Sequence, residues 1–313
     1  MKPQEFQAFL ARLGELTPGQ ARVLGHAMAG SRTDAIAIIE ARFAEHAECP
    51  HCGSRRMKKS GHASGGLQRY KCRGDCGRTF TALTGTPLSG LHKRDVWFAY
   101  AQAMIDHASV RAAAEICGID KTTSFRWRHR FLAEPRDDKA AKLRDIVEVD
   151  ETFFLESFKG QRELPRPARN RGGKALKRGL SEEQIPVLVA RDRQGNMTDA
   201  KLPDLSDKSV EDVLGPLIDR ENVLVSDGAG RYRRLADARG ILHVSLNQSA
   251  GERRWGVYHI QNVNAYDSRL KEWMRPFKGV ATKYLENYLG WHRALDRERG
   301  SPGPAAILAA ALN

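Results

Sequence analysis

The sequence predicts a multidomain α/β protein in which small metal-binding and helical modules precede a mixed-sheet domain. Three observations support this class. Four cysteines fall in two close pairs, helical periodicity follows over residues 85–135, and from residue 143 apolar runs of strand length alternate with helical segments. The 313 residues are enough for about two domains with small modules attached.

The cysteines form a C-x-x-C pair, Cys49 and Cys52, and a C-x-x-x-C pair, Cys72 and Cys76. Two such knuckles joined by about 20 residues predict a tetrahedral four-thiolate zinc site within a zinc ribbon over residues 46–84. Disulfides are the alternative, but they imply an exported protein, and no secretory signal is expected here. Because four protein ligands leave no open position on the metal, this zinc is expected to be structural.

Residues 85–135 predict a helix-turn-helix DNA-binding domain, with one helix beginning at Ser109 and the next covering residues 120–131. Gly118 provides the turn, and the second helix opens with small polar residues, which is typical of a helix that enters the major groove. An ordinary three-helix bundle with solvated arginines is the alternative. The residues expected to reach DNA are Lys121, Thr122, Thr123 and Arg126.

Basic charge points to a polyanionic partner. The chain has 51 Lys and Arg against 38 Asp and Glu, a net charge of +13, which favours double-stranded DNA. Part of the excess lies in a predicted loop over residues 159–180, where the cations expected to bind DNA are Arg169, Arg171, Lys174, Lys177 and Arg178. No run approaches 18 apolar residues, so no membrane partner is expected, and the predicted location is cytoplasmic.

Residues 143–295 show the order βββαβαβα, with an aspartate in the first strand and another ending the fourth. This order is that of a ribonuclease-H-like domain with a mixed five-stranded sheet and helices. The last two helices are predicted over residues 257–275 and 281–293. A helical segment over residues 1–45 and a C-terminal tail over residues 296–313 complete the predicted organisation.

Two aspartates are the candidate catalytic residues. Asp150 and Asp227 lie on strands that are neighbours in such a sheet, and a buried carboxylate is unfavourable unless it is paired or bound to a metal. Oxygen ligands at one edge suit Mg²⁺ or Mn²⁺, and two such ions can drive phosphodiester chemistry. The alternative is that each aspartate caps a strand end or forms a salt bridge. Asn264, Asp267 and Lys271 share one face of the helix after the fifth strand.

Several segments together resemble the DDE-type insertion-sequence transposases that carry an N-terminal zinc ribbon, the ISXO-like group. The matching segments are CPHCGS at 49–54, YKCRGDCGRTFTALTGTPL at 70–88, VEVDETFF at 147–154, GGKALKRGLS at 172–181, PVLVARDR at 186–193, VSDG at 225–228 and the H-x4-N-x6-K pattern at 259–271. The resemblance implies that Asp150 and Asp227 are metal ligands, that Asn264 replaces the usual Glu as the third ligand, and that Lys271 is the lysine that follows it. This is the DDNK variant.

The resemblance also implies a function. A bacterial transposase of this group, associated with the nucleoid, would bind the terminal inverted repeats of its element, cleave the element ends by metal-dependent hydrolysis and join the 3′-hydroxyl to target DNA. It would work as a homodimer or a larger synaptic assembly. Two other functions stay open: an inert DNA-binding regulator, and a nuclease without strand transfer. Asp267 either partly compensates for the missing charge of Asn264 or forms a salt bridge with Lys271 or Arg269. His259 either touches the leaving DNA strand or is a histidine of the helix start or the core.

Overall fold

The computed structural model describes the chain with short gaps and divides it into two compact units. The described residues are 2–17, 32–170, 173, 175–177, 181–247, 250–297 and 303–312. The units are Met1–Pro135 with Ala294–Asn313, and Arg136–Arg293. None of the helices in the described part of the chain is long and apolar enough to cross a membrane.

The first unit contains a small antiparallel sheet of three strands, β1 (Met57–His62), β2 (Gln68–Cys72) and β3 (Thr79–Thr81). In the described residues before the sheet there are two α-helices, α1 (Pro3–Arg12) and α2 (Arg32–Glu45). Phe43 of α2 packs on Tyr70 and Phe80, which belong to β2 and β3. An aromatic cluster therefore supports one side of the segment that carries the four cysteines.

Four helices follow in this unit: α3 (Trp97–Ile105), α4 (Val110–Ile116), α5 (Lys121–Phe131) and α6 (Ala133–Asp137). Polar side chains cap the central two. The Ser109 hydroxyl accepts the Ala112 amide at 3.2 Å, and the Asp120 carboxylate accepts the Thr122 amide at 2.6 Å. Such N-caps satisfy amides that have no partner inside the helix, which is why α4 and α5 begin where the serine and the aspartate stand.

The C-terminal segment differs from a simple tail, which was the expectation for residues 296–313. It contains a helix, α11 (Pro304–Ala310), which packs against α2 and α3. Ile307 and Leu308 are buried there. The physical reason is visible in the run AAILAAAL at 305–312, since alanine and leucine favour helix and the larger apolar side chains need a core.

The second unit is built on a five-stranded sheet in the order β6-β5-β4-β7-β8. Its strands are β4 (Ile146–Leu155), β5 (Gln184–Asp192), β6 (Met197–Lys201), β7 (Val223–Ser226) and β8 (Leu242–Ser245). Strand β5 is antiparallel to both of its neighbours, β4 and β6, whereas β7 runs parallel to β4 and β8 parallel to β7. Three antiparallel strands extended by two parallel ones confirm the ribonuclease-H-like fold that the strand order predicts.

Helices cover both faces of this sheet. The helices of the second unit are α7 (Asp207–Leu214), α8 (Gly230–Arg239), α9 (Gln261–Met274) and the start of α10 (Leu285–Arg297). On one face, Val147 and Val149 of β4 pack with Val210 of α7 and Leu235 of α8 in the main apolar core. Helix α9 contacts β4 and β5. Because side chains alternate along a strand, the polar residues of β4 at even positions face away from that core.

Candidate active site

Asp150 lies on β4, and Asp227 directly follows the adjacent parallel strand β7. The register of β4 and β7 pairs Ile146 with Val223 and Glu148 with Val225, and the same offset, continued by two residues, places Asp227 opposite Asp150. Neighbouring strands lie about 4.8 Å apart, and level residues point to the same face. The fold therefore brings together two carboxylates that are far apart in the sequence.

The two carboxylates differ in exposure. Asp150 is half-buried, whereas Asp227 follows β7 and is exposed at the edge of the sheet. Burial raises the pKa of Asp150 to about 6, and the nearby Asp227 carboxylate adds to the rise, while the amide of Glu151 and the ammonium group of Lys271 oppose it. Two like charges held this close favour a cation between them, so this donor set fits a divalent metal ion.

Gly228 allows the turn that presents Asp227. Its φ of +95° lies in the region that favours glycine, and a Cβ atom there would stand 2.6 Å from the Ser245 hydroxyl oxygen. The Asp227 carboxylate also accepts the Ala229 amide at 3.1 Å. The VSDG segment thus turns sharply as soon as the strand ends, which leaves the aspartate at the open edge.

Helix α9 carries the other predicted site residues. It begins at Gln261, so the predicted helix start at residue 257 is wrong by four residues. The physical reason is twofold. Trp255 and Tyr258 form an isolated antiparallel bridge that keeps the chain extended, and the first turn of the helix is held by a carboxylate from β4.

That carboxylate belongs to Glu148, which is fully buried two residues before Asp150. Its oxygens accept the Asn262 amide at 2.8 Å, the Asn262 side-chain amide at 2.7 Å and the Val263 amide at 3.2 Å. Arg193 supplies the countercharge at 2.8 Å. A carboxylate at a helix N-terminus meets unpaired amides and a favourable dipole. Glu148 therefore fixes the end of α9 that carries Asn264.

Sequence reasoning did not identify Glu148 as a site residue, although a signal was present. Polar residues stand at 148, 150 and 152 of β4, while Val147 and Val149 at the alternating positions are apolar. A period of two places Glu148 on the same face as Asp150. The partners of Glu148 lie 114 and 115 residues further along the chain, and no local pattern announces them.

His259 also contacts the Glu148 network. Its ring nitrogens lie 2.7 and 3.3 Å from an Arg193 guanidinium nitrogen, and Nδ1 lies 3.5 Å from the Glu148 carboxylate. The histidine comes just before α9 and its Nδ1 accepts the Gln261 amide at 3.3 Å. These contacts favour the second of the two roles considered for His259, in which it begins the helix.

The remaining residues of α9 have distinct environments. Asn264 is half-buried, Lys271 is exposed, and Asp267 is only 7% exposed. Burial raises the pKa of Asp267 to about 8, and Asp150 adds to the rise, while Lys271 opposes it. Within the described residues, the Oδ1 atom of Asp267 has no hydrogen-bond partner. Asp150, Asp267 and Lys271 thus affect one another electrostatically, as expected for neighbours around one site.

Glu151 follows Asp150 but points to the opposite face of β4. It lies 2.7 Å from the Arg231 guanidinium of α8. Burial raises the pKa of Glu151, and the positive charge of Arg231 opposes that rise. A carboxylate already paired inside the fold is poorly placed to bind a metal with Asp150, so only Asp150 of the two adjacent acids remains a candidate metal ligand.

The predicted DNA-contacting residues of α5 are exposed with one exception. On α5, Lys121, Thr122 and Arg126 are exposed and Thr123 is half-buried. The opposite side of α5 packs into the core through Trp127 and Phe131. An exposed polar face opposite a buried aromatic face suits a helix that docks on another surface.

The basic loop is only partly described. Arg171, Lys174 and Arg178 lie outside the described residues, and Lys177 is exposed. Arg169 is engaged within the protein, since it donates to the Glu156 carbonyl at 2.8 Å and pairs with the Glu183 carboxylate. The Arg169 guanidinium therefore links the described part of this loop to Glu156 and Glu183.

The four cysteines predicted to bind zinc come together in the first unit. Their sulfur atoms all lie within 4.8 Å of one another, and Cys49 and Cys52 each approach Cys76 to 3.5 Å. A tetrahedron with metal–sulfur bonds of about 2.3 Å has edges of about 3.8 Å, so the donor set fits zinc. Cys117 is separate: it is buried, and burial raises the pKa of its thiol to about 12.

Comparison with known proteins identifies the class of the second unit. Residues 142–291 match the family described as ISXO2-like transposase domain. This range contains the whole five-stranded sheet, Asp150, Asp227 and helix α9. The chain therefore carries an ISXO2-like transposase domain, preceded by a four-cysteine cluster consistent with a zinc ribbon.

Similar whole proteins include one curated relative. It is described as an uncharacterized protein in transposable element ISH50 of Halobacterium salinarum, and it is 27% identical over 291 residues, which are 90% of this chain and 97% of the relative.

Two solved structures are also similar. One is a simian T-cell lymphotropic virus intasome in complex with PP2A regulatory subunit B56 gamma, with 10% identity, a TM-score of 0.28, and coverage of 61% of this chain and 67% of that one. The other is a pre-cleavage Mos1 transpososome, with 12% identity, a TM-score of 0.25, and coverage of 67% and 73%. Because both TM-scores are low, the evidence for the fold is the strand order of the sheet and not the similarity to these two structures.

Proposed function

We propose that this chain is the DNA transposase of an insertion sequence and belongs to the DDNK variant. It binds the terminal inverted repeats of its element, cleaves the element ends and joins the resulting 3′-hydroxyl to target DNA. The observation that carries the proposal is that Asp150 on β4 and Asp227, which directly follows the adjacent strand β7, bring two interacting carboxylates to one edge of a ribonuclease-H-like sheet. The similarity of residues 142–291 to a transposase domain supports it.

In this proposal the metal site consists of Asp150, Asp227 and Asn264. When bound, Mg²⁺ or Mn²⁺ supplies the Lewis acidity that activates the attacking oxygen and stabilises the leaving oxygen. Asp150 and Asp227 provide the negative charge, and Asn264 provides a neutral amide oxygen. Lys271 is exposed one turn of α9 beyond Asp267, where its ammonium group can hold the phosphate that reacts.

The DNA is recognised by other parts of the chain. Helix α5 presents Lys121, Thr122 and Arg126 to the major groove of the terminal repeats, while the zinc ribbon, stabilised by structural zinc, assists in binding. Lys177 and the other cations of the loop contact phosphates, which contribute affinity and little sequence information. Because two element ends are joined in one event, the working form is a homodimer or a larger synaptic assembly.

The test uses labelled DNA that carries the ends of the element, a supercoiled target plasmid and Mg²⁺. Wild type is compared with Asp150→Asn, which keeps the side-chain shape and removes the charge. Asp212→Asn is the control, because Asp212 is a surface acid of the same unit that pairs only with Lys208 in the described residues. We expect cleavage to fall by roughly 1,000-fold in Asp150→Asn, the scale of losing a key electrostatic group, and to be unchanged in the control.

Each outcome distinguishes the three functions. Cleavage followed by joined products, both dependent on Asp150, supports the transposase. Cleavage that depends on Asp150 but never gives a joined product identifies a nuclease without strand transfer. Repeat binding without any cleavage by wild type, in Mg²⁺ or Mn²⁺, identifies a DNA-binding regulator. The similar ISH50 protein comes from an archaeon, Halobacterium salinarum. The bacterial source expected for this chain therefore stays a prediction.

A further inference from the structure

A cavity of about 840 Å³ lies in the second unit next to the candidate active site. Its walls come from the end of β4, the second half of α9, the segment after β4 and the segment that leads to α10. Most of the exposed surface of the cavity is apolar, and the residues that contribute to it include Phe153, Phe154, Phe158, Ile185, Met274 and Leu285. Cavities of this size and character are typical of sites for small organic groups.

Hydrogen bonds hold two walls of the cavity together. Ser157 and Thr282 bond reciprocally: the Thr282 amide donates to the Ser157 carbonyl at 2.9 Å, and the Ser157 amide donates to the Thr282 hydroxyl at 2.9 Å. The Lys159 ammonium group donates to the Gly279 carbonyl at 3.0 Å and to the Phe277 carbonyl at 3.3 Å. These bonds join segments more than 100 residues apart, so the cavity is part of the fold and needs no ligand to form.

The cavity adjoins the catalytic edge of the sheet. Phe154 lies four residues beyond Asp150 on β4, hence on the same face of the strand. Lys271 lines the cavity and also opposes the rise in the pKa of Asp150, which places its charge near that carboxylate. One molecule can therefore occupy both the cavity and the candidate metal site.

The charges around the cavity define its ligand further. Lys271 and Lys278 both line it and are exposed, and within the described ranges neither ammonium group has a hydrogen bond or an ion pair. Arg275 differs, because it pairs with Glu272. An aromatic interior with two available cations matches a flat apolar group attached to phosphates, which is the chemistry of a nucleotide.

We propose that this cavity receives one unpaired nucleobase of the DNA strand whose phosphate lies at Asp150 and Asp227. The proposal rests on the function proposed above and adds a binding site to it. The base leaves the duplex and stacks on the aromatic lining at Phe154, and Lys271 and Lys278 bind the phosphates on either side. A base taken out of the stack is read in such a site by stacking between aromatic or apolar side chains.

The first measurement finds the position of the base. 2-Aminopurine is placed at each nucleotide around the cleavage position in turn, and Ca²⁺ replaces Mg²⁺ to keep the DNA intact. We expect binding of wild type to change the fluorescence severalfold at one position, because the probe leaves the stack there. The same DNA without the probe is assayed for cleavage in Mg²⁺, which tests the proposed function separately.

The second measurement ties that position to the cavity. Phe154→Leu keeps an apolar side chain but removes the stacking surface, and Trp255→Leu is the control, since Trp255 is an exposed aromatic residue of the same unit that does not line the cavity. We expect Phe154→Leu to weaken binding of the element end about tenfold, the scale of one lost base stack. On DNA that is abasic at the identified position, Phe154→Leu and wild type should bind equally.

Three results would overturn the proposal. One is the absence of a fluorescence change at every position while wild type cleaves the unlabelled DNA, which leaves the proposed function standing. Another is a loss of affinity in Phe154→Leu that is just as large on abasic DNA. The third is that wild type neither cleaves the element DNA nor changes the fluorescence of the probe at any position. The proposed function and the nucleobase site then fail together.

Discussion

The four-cysteine cluster and the carboxylate pair are both candidate metal sites, but the chain forms them in different ways. The cysteines lie within 28 positions of the sequence, Cys49–Cys76, in two knuckles that each set the geometry of two sulfur atoms. Asp150 and Asp227 depend on the pairing of β4 with β7, and Asn264 depends on where α9 begins. A site formed by local spacing needs the metal to stabilise its small domain, whereas a site formed by a large fold is in place before the metal binds.

This difference predicts the largest effect in the molecule. Cys72→Ser removes a buried ligand, and we expect zinc content measured by elemental analysis to fall from one ion per chain to nearly none. Structural zinc contributes on the order of 10 kcal/mol to the folding of small domains of this kind. Protection from hydrogen exchange over residues 57–81 should therefore be lost, while the strands of the second unit keep theirs.

Cys117→Ser is the control for that variant. Cys117 is a buried cysteine outside the cluster, so its replacement should leave the zinc content at one ion per chain. If Cys72→Ser retains its zinc and its protection from hydrogen exchange, the cluster does not depend on this ligand. The proposed difference between the two metal sites is then wrong for the cysteine cluster.

The second prediction concerns the fold that forms the carboxylate site. Glu148→Ala leaves Arg193 without its buried partner and removes the acceptor of the α9 amides, so we expect the free energy of unfolding to fall by about 3–5 kcal/mol. Urea denaturation measures this loss. Mn²⁺ affinity, followed by electron paramagnetic resonance, should also fall, because Glu148 no longer holds the first turn of α9, which carries the proposed ligand Asn264.

Glu211→Ala is the matched control, since Glu211 forms an ion pair with Arg239 in the same unit but is 41% exposed. An exposed pair contributes less than about 1 kcal/mol, so this variant should stay close to wild type in both measurements. Equal losses in the two variants would show that Glu148 does not anchor α9.

The sequence was informative to different degrees in the two regions, for physical reasons. The cysteine spacing and the strand order predict the cluster and the sheet, because each depends on patterns of a few residues. The strand-end position of Asp227 also predicts its place beside Asp150, since parallel strands in this fold keep one register. The first turn of α9 was misplaced because its start is set by Glu148, a contact across 114 residues that no helical pattern contains. The cavity beside Phe154 likewise arises from segments brought together only by the fold.

The smallest predicted effect is a pH dependence of stability that distinguishes Asp267 from Asp150. Because Asp267 is protonated in the folded protein up to a pKa of about 8 but ionises near its ordinary value when unfolded, its contribution to stability is present at low pH and is lost as the pH rises toward 8. Asp150, with a pKa of about 6, completes its own loss at lower pH. Between pH 6 and 8, the free energy of unfolding of metal-free wild type should therefore fall by roughly 2 kcal/mol relative to that of Asp267→Asn. The slope should reach at most about 1.4 kcal/mol per pH unit. Urea denaturation of both proteins across this range measures the difference, and parallel curves for the two would mean that Asp267 is ionised throughout and does not share the buried environment of Asp150.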